Sequence, residues 1–212
     1  MADGTYLRDP AAIYRQSFAL IRAETDLGRF DRSMAAVAVR IIHACGMPEI
    51  AGELVCSTGA AATGKAALAA GRPILTDVRM VADGIIQSRL SAGNKVVCQL
   101  DDPRVREIAL TASTTRSAAA VRLWPALLEG SVVAIGNAPT ALFQLLELLA
   151  QGAPKPALIL GFPVGFVGAR ESKEALVASG LAHICLPGRK GGSAMAAAAV
   201  NALAGDDAEV LE

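Results

Sequence analysis

The sequence predicts an α/β fold, a single domain with a mostly parallel central sheet flanked by helices. Short apolar segments of strand length alternate with longer segments of helical pattern over most of the chain. Glycine-rich connections follow several of the apolar segments. Hydrophobic residues make up 53% of the 212 positions, which is enough for one sizeable core, so we expect one domain over residues 1–212.

Two helices are predicted to open the chain. Asp9 followed by Pro10 is a typical helix start, because aspartate accepts from free N–H groups and proline fits the first turn. We therefore expect a helix from residue 10 to about residue 25. A second helix is expected over residues 33–44, ending at Gly46.

His43, one of only two histidines, would lie in the last turn of the second helix. An unperturbed imidazole titrates at about pH 6.5, so His43 is the first candidate for proton transfer. The helix dipole is expected to favour its protonated form. The alternative is a histidine that is satisfied by a helix carbonyl and packed on the core. His183 begins a predicted strand and is interpreted as structural.

The remainder of the chain alternates between strand and helix patterns. Six apolar segments are predicted to be strands buried on both faces, at about 53–56, 73–76, 96–100, 132–135, 157–160 and 183–186. Helical patterns lie at 63–70, 103–112, 115–128, 139–150, 171–178 and 193–203. Ligands of open α/β sheets bind outside the carboxyl ends of the strands, so the loops after strands should build the site. The acidic tail over residues 205–212 is expected to be frayed.

Composition excludes several function classes. The 20 basic and 20 acidic residues balance, so no overall field favours nucleic acid or an anionic membrane. Aromatic residues are only 4% of the chain, which argues against a stacking platform for single strands. The four cysteines are scattered without metal-binding spacing, and the N-terminus shows no signal sequence. We expect a cytoplasmic protein with no metal, no nucleic-acid partner and no membrane segment.

A near match to a phosphate-binding loop offers an alternative function. The segment GAAATGKA at 59–66 follows a predicted strand and nearly fits the pattern GxxxxGK[ST]. Ala66 stands where the pattern requires a hydroxyl for magnesium, and Asp77 is a candidate for a second magnesium ligand. A nucleotide-binding enzyme that uses Gly59–Lys65 is therefore the less favoured alternative.

Two glycine loops are candidate anion sites. Asn137 and Thr140 flank a predicted helix start, whose exposed N–H groups can bind an anion. Arg189 and Lys190 lie in a glycine-rich turn before another helix, a combination suited to a carboxylate or phosphate. The alternatives are a capped helix start for the first loop and an exposed basic turn for the second.

Three further polar residues are placed where a ligand would explain them. Arg116 lies in the first turn of a predicted helix, where the dipole disfavours a cation. Ser17 lies at the edge of the apolar face of the first helix, about one turn from Tyr14.

Five stretches resemble the precorrin-8X methylmutase family of cobalamin biosynthesis. They are VRIIH at 39–43, TRSAA at 115–119, GNAPTALF at 136–143, PVGFVGARESKE at 163–174 and GRKGGS at 188–193. The resemblance spans nearly the whole chain, from the Asp-Pro helix start to Asn201. The segments at 57–61 and 76–80 depart from the family pattern, so we assign them no catalytic role.

The resemblance implies an isomerase that moves a methyl group from C11 to C12 of precorrin-8X to give hydrogenobyrinic acid. The step is viewed as a 1,5-sigmatropic shift that needs no cofactor or metal. His43 matches the histidine that is the family's proton donor/acceptor, and Ser17 matches a substrate contact. Tyr14 is expected to face the macrocycle beside Ser17.

The same resemblance assigns partners to the candidate anion sites. Arg116, Arg189 and Lys190 are expected to pair with the acetate and propionate groups of the macrocycle, and N–H groups at the Asn137 and Ser193 helix starts are expected to add neutral donors. It also implies a homodimer with sites at the subunit interface. The metal-free substrate is favoured over cobalt-precorrin-8, the substrate of the anaerobic branch, and a non-catalytic corrinoid carrier is a further alternative.

Overall fold

The computed structural model describes residues 6–212 as an α/β domain, and the first five residues of the predicted domain lie outside the described part. Within residues 6–212 the strands form one six-stranded sheet of order β1-β6-β5-β4-β2-β3. β1 is antiparallel to β6, and the other neighbouring strands are parallel. The strands are β1 (Val55–Cys56), β2 (Ile74–Thr76), β3 (Val96–Cys98), β4 (Val132–Ile135), β5 (Leu158–Gly161) and β6 (His183–Cys185). The predicted fold class is confirmed.

Helices cover both faces of this sheet. In chain order they are α1 (Pro10–Glu24), α2 (Arg32–Cys45), α3 (Ile50–Glu53), α4 (Ala60–Ala69), α5 (Arg79–Gly84), a 3-10 turn (Gln87–Arg89), α6 (Pro103–Thr111), α7 (Arg116–Val121), α8 (Pro125–Leu128), α9 (Pro139–Ala150), α10 (Ala169–Ala178), α11 (Ser193–Leu203) and α12 (Ala208–Leu211).

The alternating side chains of the buried strands feed two hydrophobic clusters. On β4, Val132 and Ala134 belong to the cluster that includes α2, α4 and α11, whereas Val133 and Ile135 belong to the cluster that includes α9. β2, β4, β5 and β6 are buried along their whole length, as the apolar runs predict, but the edge strands β1 and β3 are only half-buried.

Several helix boundaries lie where the sequence predicts them. α9 and α11 have the predicted bounds, and α1 begins at Pro10 with Asp9 accepting from the N–H groups of Ala11 and Ala12. The helix predicted over 115–128 is divided into α7 and α8, because Pro125 has no N–H and begins a new helix. The short elements α3, α5 and the 3-10 turn were not predicted. No helix within residues 6–212 combines the length and apolar character needed to cross a membrane.

The acidic tail is docked, so the prediction of a frayed end is wrong. Val210 of α12 is 1% exposed and packs in the main hydrophobic cluster. Asp207 lies 2.9 Å from Lys65 Nζ and accepts from Ser33 Oγ at 2.8 Å. Burial of an apolar side chain, together with this ion pair and this hydrogen bond, offsets the entropy that keeps most chain ends disordered.

The phosphate-binding loop suggested by the sequence does not form. α4 begins at Ala60, so Lys65 lies within a helix and its Nζ donates to the carbonyl of Gly205 at 3.0 Å. A Cβ at Gly64 would lie 2.6 Å from Leu158, so this glycine serves close packing of α4 on the sheet. The nucleotide-binding alternative is therefore wrong.

Candidate active site

The centre of the candidate site is His43 in the last turn of α2. Gly46 ends this helix in the left-handed region, at φ 67°, and donates its N–H to Ile42 O. The exposed imidazole lies against α1, where Ser17 Oγ is 2.8 Å from His43 Nδ1. Ser17 thus holds one ring nitrogen, and Nε2 on the other side of the ring is left for a substrate.

Two aromatic side chains of α1 flank the imidazole. The ring centroid of Tyr14 lies 5.3 Å from that of His43, and the ring of Phe18 packs against His43 edge-on at 5.2 Å. Phe18 is buried, whereas Tyr14 is half exposed. The structure therefore brings the predicted residues Tyr14, Ser17 and His43 together, with spacing that an offset aromatic cluster favours.

The surroundings of His43 act against the protonated form that the helix dipole was expected to favour. Burial lowers the pKa of the imidazole, and the positive charge of Arg40 lowers it further. Arg40 lies one turn before His43 on α2, is 6% exposed and stacks over the Phe18 ring at 5.5 Å. Both effects lower a pKa that is ordinarily about 6.5, so His43 is mainly neutral at pH 7.

Asp77 accepts hydrogen bonds from the free N–H groups of the loop after β4, so these groups at the start of α9 do not form an anion site. The Asp77 carboxylate is fully buried and accepts from the N–H groups of Gly136, Asn137 and Ala138 at 3.0, 3.0 and 2.8 Å. Burial raises the pKa of Asp77, while the three N–H donors oppose that rise. The expectation that these N–H groups are free to bind an anion is wrong, and so is the suggestion of Asp77 as a magnesium ligand.

Side chains near this loop still face outward. Asn137 is exposed, and Thr140 Oγ1 lies 2.7 Å from Thr115 Oγ1 at the start of α7. Arg116, the next residue, lies 3.1 Å from Asp101 and donates to the carbonyl of Leu100 at 3.2 Å. Arg116 and Thr140 therefore belong to one rim, at the carboxyl ends of β3 and β4.

The basic turn after β6 forms the opposite end of the rim. The Arg189 guanidinium stacks on the Phe166 ring at 5.1 Å, and Lys190 Nζ lies 2.6 Å from Glu53. The buried Lys173 donates to the carbonyl of Lys190 at 2.7 Å, and burial lowers the pKa of Lys173 to about 8.

These groups form one wide edge rather than one compact cluster. Lys190 also lies 3.8 Å from Glu49, which follows α2 closely, so the His43 end of α2 and the basic turn share the carboxyl edge of the sheet. Arg116 lies beside β3, four strand spacings or about 19 Å from β6. No hydrogen bond or ion pair within residues 6–212 joins Arg116 to His43. In that part of the chain no three His, Cys, Asp or Glu side chains are grouped to hold a metal.

The family model described as precorrin-8X methylmutase matches residues 12–205. This chain belongs to the precorrin-8X methylmutase family. The resemblance read from the five sequence stretches is thereby confirmed.

Individual family members align over nearly the whole chain. A precorrin-8X methylmutase of Pseudomonas aeruginosa is 60% identical over 94% of this chain and 97% of its own length. The Sinorhizobium sp. precorrin-8X methylmutase is 56% identical over 96% of this chain and 98% of its own. The cobalt-precorrin-8 methylmutase of Methanocaldococcus jannaschii is 38% identical over 84% and 81%. A crystal structure of precorrin-8x methyl mutase from Thermus thermophilus superimposes with a TM-score of 0.83 at 42% identity, covering 91% of this chain and 94% of that one.

A set of charged residues beside His43 was missed from the sequence. Arg40 Nη2 lies 3.0 Å from Glu209, and both terminal nitrogens of Arg89 donate to the same carboxylate at 2.7 and 2.6 Å. A lone arginine in the otherwise apolar run before His43 is a signal for a buried charge that needs a partner. Its partner lies in the tail that was expected to be frayed.

Proposed function

We propose that this chain converts precorrin-8X to hydrogenobyrinic acid by moving a methyl group from C11 to C12. The observation that carries the proposal is the exposed imidazole of His43, held by Ser17 at the rim of the sheet in a member of this family. The reaction is an isomerisation, so the bond from the methyl carbon to C11 breaks as its bond to C12 forms, and no atom is gained or lost.

His43 supplies the proton transfer that this rearrangement needs. Because the pKa of His43 is lowered, the neutral imidazole is the main form at pH 7 and Nε2 can accept a proton from the macrocycle. Returning that proton at another position leaves the enzyme unchanged. The hydrogen bond with Ser17 fixes the ring plane, and the aromatic side chains of Tyr14 and Phe18 limit its tilt.

The width of the rim suits a large polycarboxylate ligand. Cationic side chains beside β3 and after β6, two strands that lie about 19 Å apart, match a macrocycle that carries carboxylates around its edge better than a small substrate. We assign substrate contacts to Ser17, Tyr14, Arg116, Asn137, Thr140, Arg189 and Lys190. In the unliganded protein Arg116 and Lys190 pair with Asp101 and Glu53, and a substrate carboxylate would compete with these exposed partners.

Sequence identity to the relatives favours the metal-free substrate over cobalt-precorrin-8. Relatives that share 60% and 56% identity are precorrin-8X methylmutases, whereas the cobalt-precorrin-8 methylmutase of Methanocaldococcus jannaschii shares 38%. We therefore assign precorrin-8X as the substrate, and cobalt-precorrin-8 remains the alternative that a direct comparison of both substrates would test.

The proposal includes a homodimer whose active site lies at the subunit interface. It also places the protein in the cytoplasm. Large apolar side chains are exposed on two sides of the rim: Ile13, Tyr14 and Leu20 on α1, and Phe166 and Val167 in the loop after β5. Such side chains favour burial against a second copy, because removing apolar area from water stabilises association. Light scattering of the purified protein would measure the assembly directly.

Replacement of His43 by alanine tests the function. The variant should keep its circular dichroism spectrum and lose the visible absorbance change that accompanies conversion of precorrin-8X. Full activity in this variant would overturn the assigned role. Wild-type protein should convert a large molar excess of substrate, and a yield limited to one equivalent would instead indicate a corrinoid carrier.

A further inference from the structure

The C-terminal helix α12 contributes a carboxylate to the surroundings of His43. Glu209 contacts two arginines from different parts of the chain, Arg40 on α2 and Arg89 in the 3-10 turn. Its contact with Arg89 is bidentate, and together the two guanidinium groups hold the pKa of Glu209 at about 2. Glu209 is therefore ionised throughout the physiological pH range.

Arg40 needs this carboxylate because its own position is buried. The side chain is 6% exposed, and neither its Nε nor its Nη2 has a hydrogen-bond partner of good geometry within residues 6–212, so its contact with Glu209 at 3.0 Å is an ion pair. Burial lowers the pKa of Arg40, and its contacts with Glu209 oppose that effect. An uncompensated guanidinium at this depth would be strongly unfavourable, so Glu209 both retains the charge of Arg40 and balances it.

A continuous chain of contacts leads from Glu209 to the imidazole. Arg40 lies between Glu209 and the ring of Phe18, and the edge of that ring packs on His43 at 5.2 Å. The polar groups around His43 are Ser17 and Tyr14 from α1 and Arg40 from α2, with Arg89 and Glu209 beyond Arg40. Among the elements that carry these groups, α12 is the one that belongs to the C-terminal tail.

We propose that Glu209 is a positioning residue for His43 and acts through Arg40. By holding the guanidinium over Phe18 and balancing its charge, the carboxylate limits how strongly Arg40 repels a proton on His43. The proposal rests on the proposed function only for its kinetic consequence, since the effect on the imidazole exists without substrate. The C-terminal helix thereby takes part in setting the protonation range of the active site.

The direct test is an NMR titration of the two histidine side chains in ligand-free protein. In Glu209→Gln the charge of Arg40 is no longer balanced, so the pKa of His43 should fall by on the order of half a unit. Glu212→Gln is the matched control, since Glu212 ends the same helix and pairs only with the exposed Arg32. We expect that variant to retain the wild-type value. An unchanged pKa of His43 in folded Glu209→Gln would overturn the proposal.

A double substitution tests the route through Arg40, in a background where Glu209→Gln leaves no uncompensated charge on Arg40. Arg40→Gln removes the buried cation, so adding Glu209→Gln to it should leave the pKa of His43 where Arg40→Gln alone places it. A further shift in the double variant would show that Glu209 does not act through Arg40.

A kinetic test uses precorrin-8X as substrate. The apparent pKa of the acid limb of kcat/KM should be lower in Glu209→Gln than in the wild type, by the same amount as the pKa of His43 measured by NMR. If Glu209→Gln lowers the NMR pKa of His43 but neither the wild type nor any variant converts precorrin-8X, the proposed function fails and the positioning role stands.

Discussion

Ser17 Oγ and His43 Nδ1 lie 2.8 Å apart and join α1 to the last turn of α2. The serine hydroxyl can donate to Nδ1 or accept from it, so this hydrogen bond sets which way the ring faces rather than which nitrogen carries the proton. Since His43 is exposed, its orientation depends on this contact and on the aromatic neighbours rather than on enclosure by the core.

Ser17→Ala should therefore lower kcat for precorrin-8X conversion about fivefold to tenfold, the effect expected for a loss of about 1 kcal/mol of orientation by one hydrogen bond. Steady-state kinetics followed by visible absorbance would measure it. The exposed Ser91→Ala serves as a matched control and should leave kcat unchanged. A rise in KM with kcat unaltered would mean that Ser17 only contacts substrate and does not orient His43.

Local sequence patterns predicted the helices and strands well because their causes are local. Pro139 begins α9 and an apolar run defines β4, and each signal lies within the element that it specifies. The contact between Ser17 and His43 was not predicted, although each residue was singled out by its position on its own helix.

Interactions between distant parts of the chain could not be read in this way. Asp77 receives hydrogen bonds from a loop about 60 positions later, and Arg40 pairs with Glu209 at the other end of the chain. Periodicity gives no information on such pairs, because they depend on the order of the strands in the sheet. The errors about the Gly136 loop and the acidic tail both arise from contacts of this type.

Asp77→Asn should destabilise the protein by about 2–4 kcal/mol, because an amide presents N–H groups to backbone N–H donors that need an acceptor. Three donors in the loop after β4 depend on this carboxylate. The loop cannot shift to compensate, since a Cβ at Gly136 would already lie 2.7 Å from Ser193 Cα and Val81 Cγ2. Urea denaturation would measure the loss.

Asp83→Asn offers a control for this change, since Asp83 is an exposed aspartate on the neighbouring α5. Its effect on stability should stay within about 0.5 kcal/mol, as for most surface substitutions. If Asp77→Asn changed the free energy of unfolding as little as Asp83→Asn, the three hydrogen bonds would contribute little to the stability of the loop. The position of Asn137 and Thr140 at the rim would then not depend on Asp77.

The buried Lys173 makes the free energy of unfolding change with pH in the alkaline range. Its ammonium group is fully buried, donates to the carbonyl of Lys190 at 2.7 Å and has its pKa lowered by burial to about 8. In the unfolded chain a lysine titrates at about 10.4. Between these values the unfolded state binds the additional proton, so this group makes the folded state more stable as pH rises from about 8 to 10.

Wild-type protein should therefore gain on the order of 2 kcal/mol of unfolding free energy relative to Lys173→Met between pH 7 and pH 10. Cys185 acts in the opposite direction, because burial raises the pKa of its thiol to about 11 and the unfolded chain loses that proton first. Both proteins contain Cys185, so most of its contribution cancels in the difference. Urea unfolding across this pH range measures the slope, with Lys95→Met as a control at an exposed lysine. Parallel pH curves for wild type and Lys173→Met would show that the Lys173 ammonium is not destabilised by its burial, and the basic turn would then be held by an ordinary, fully charged lysine.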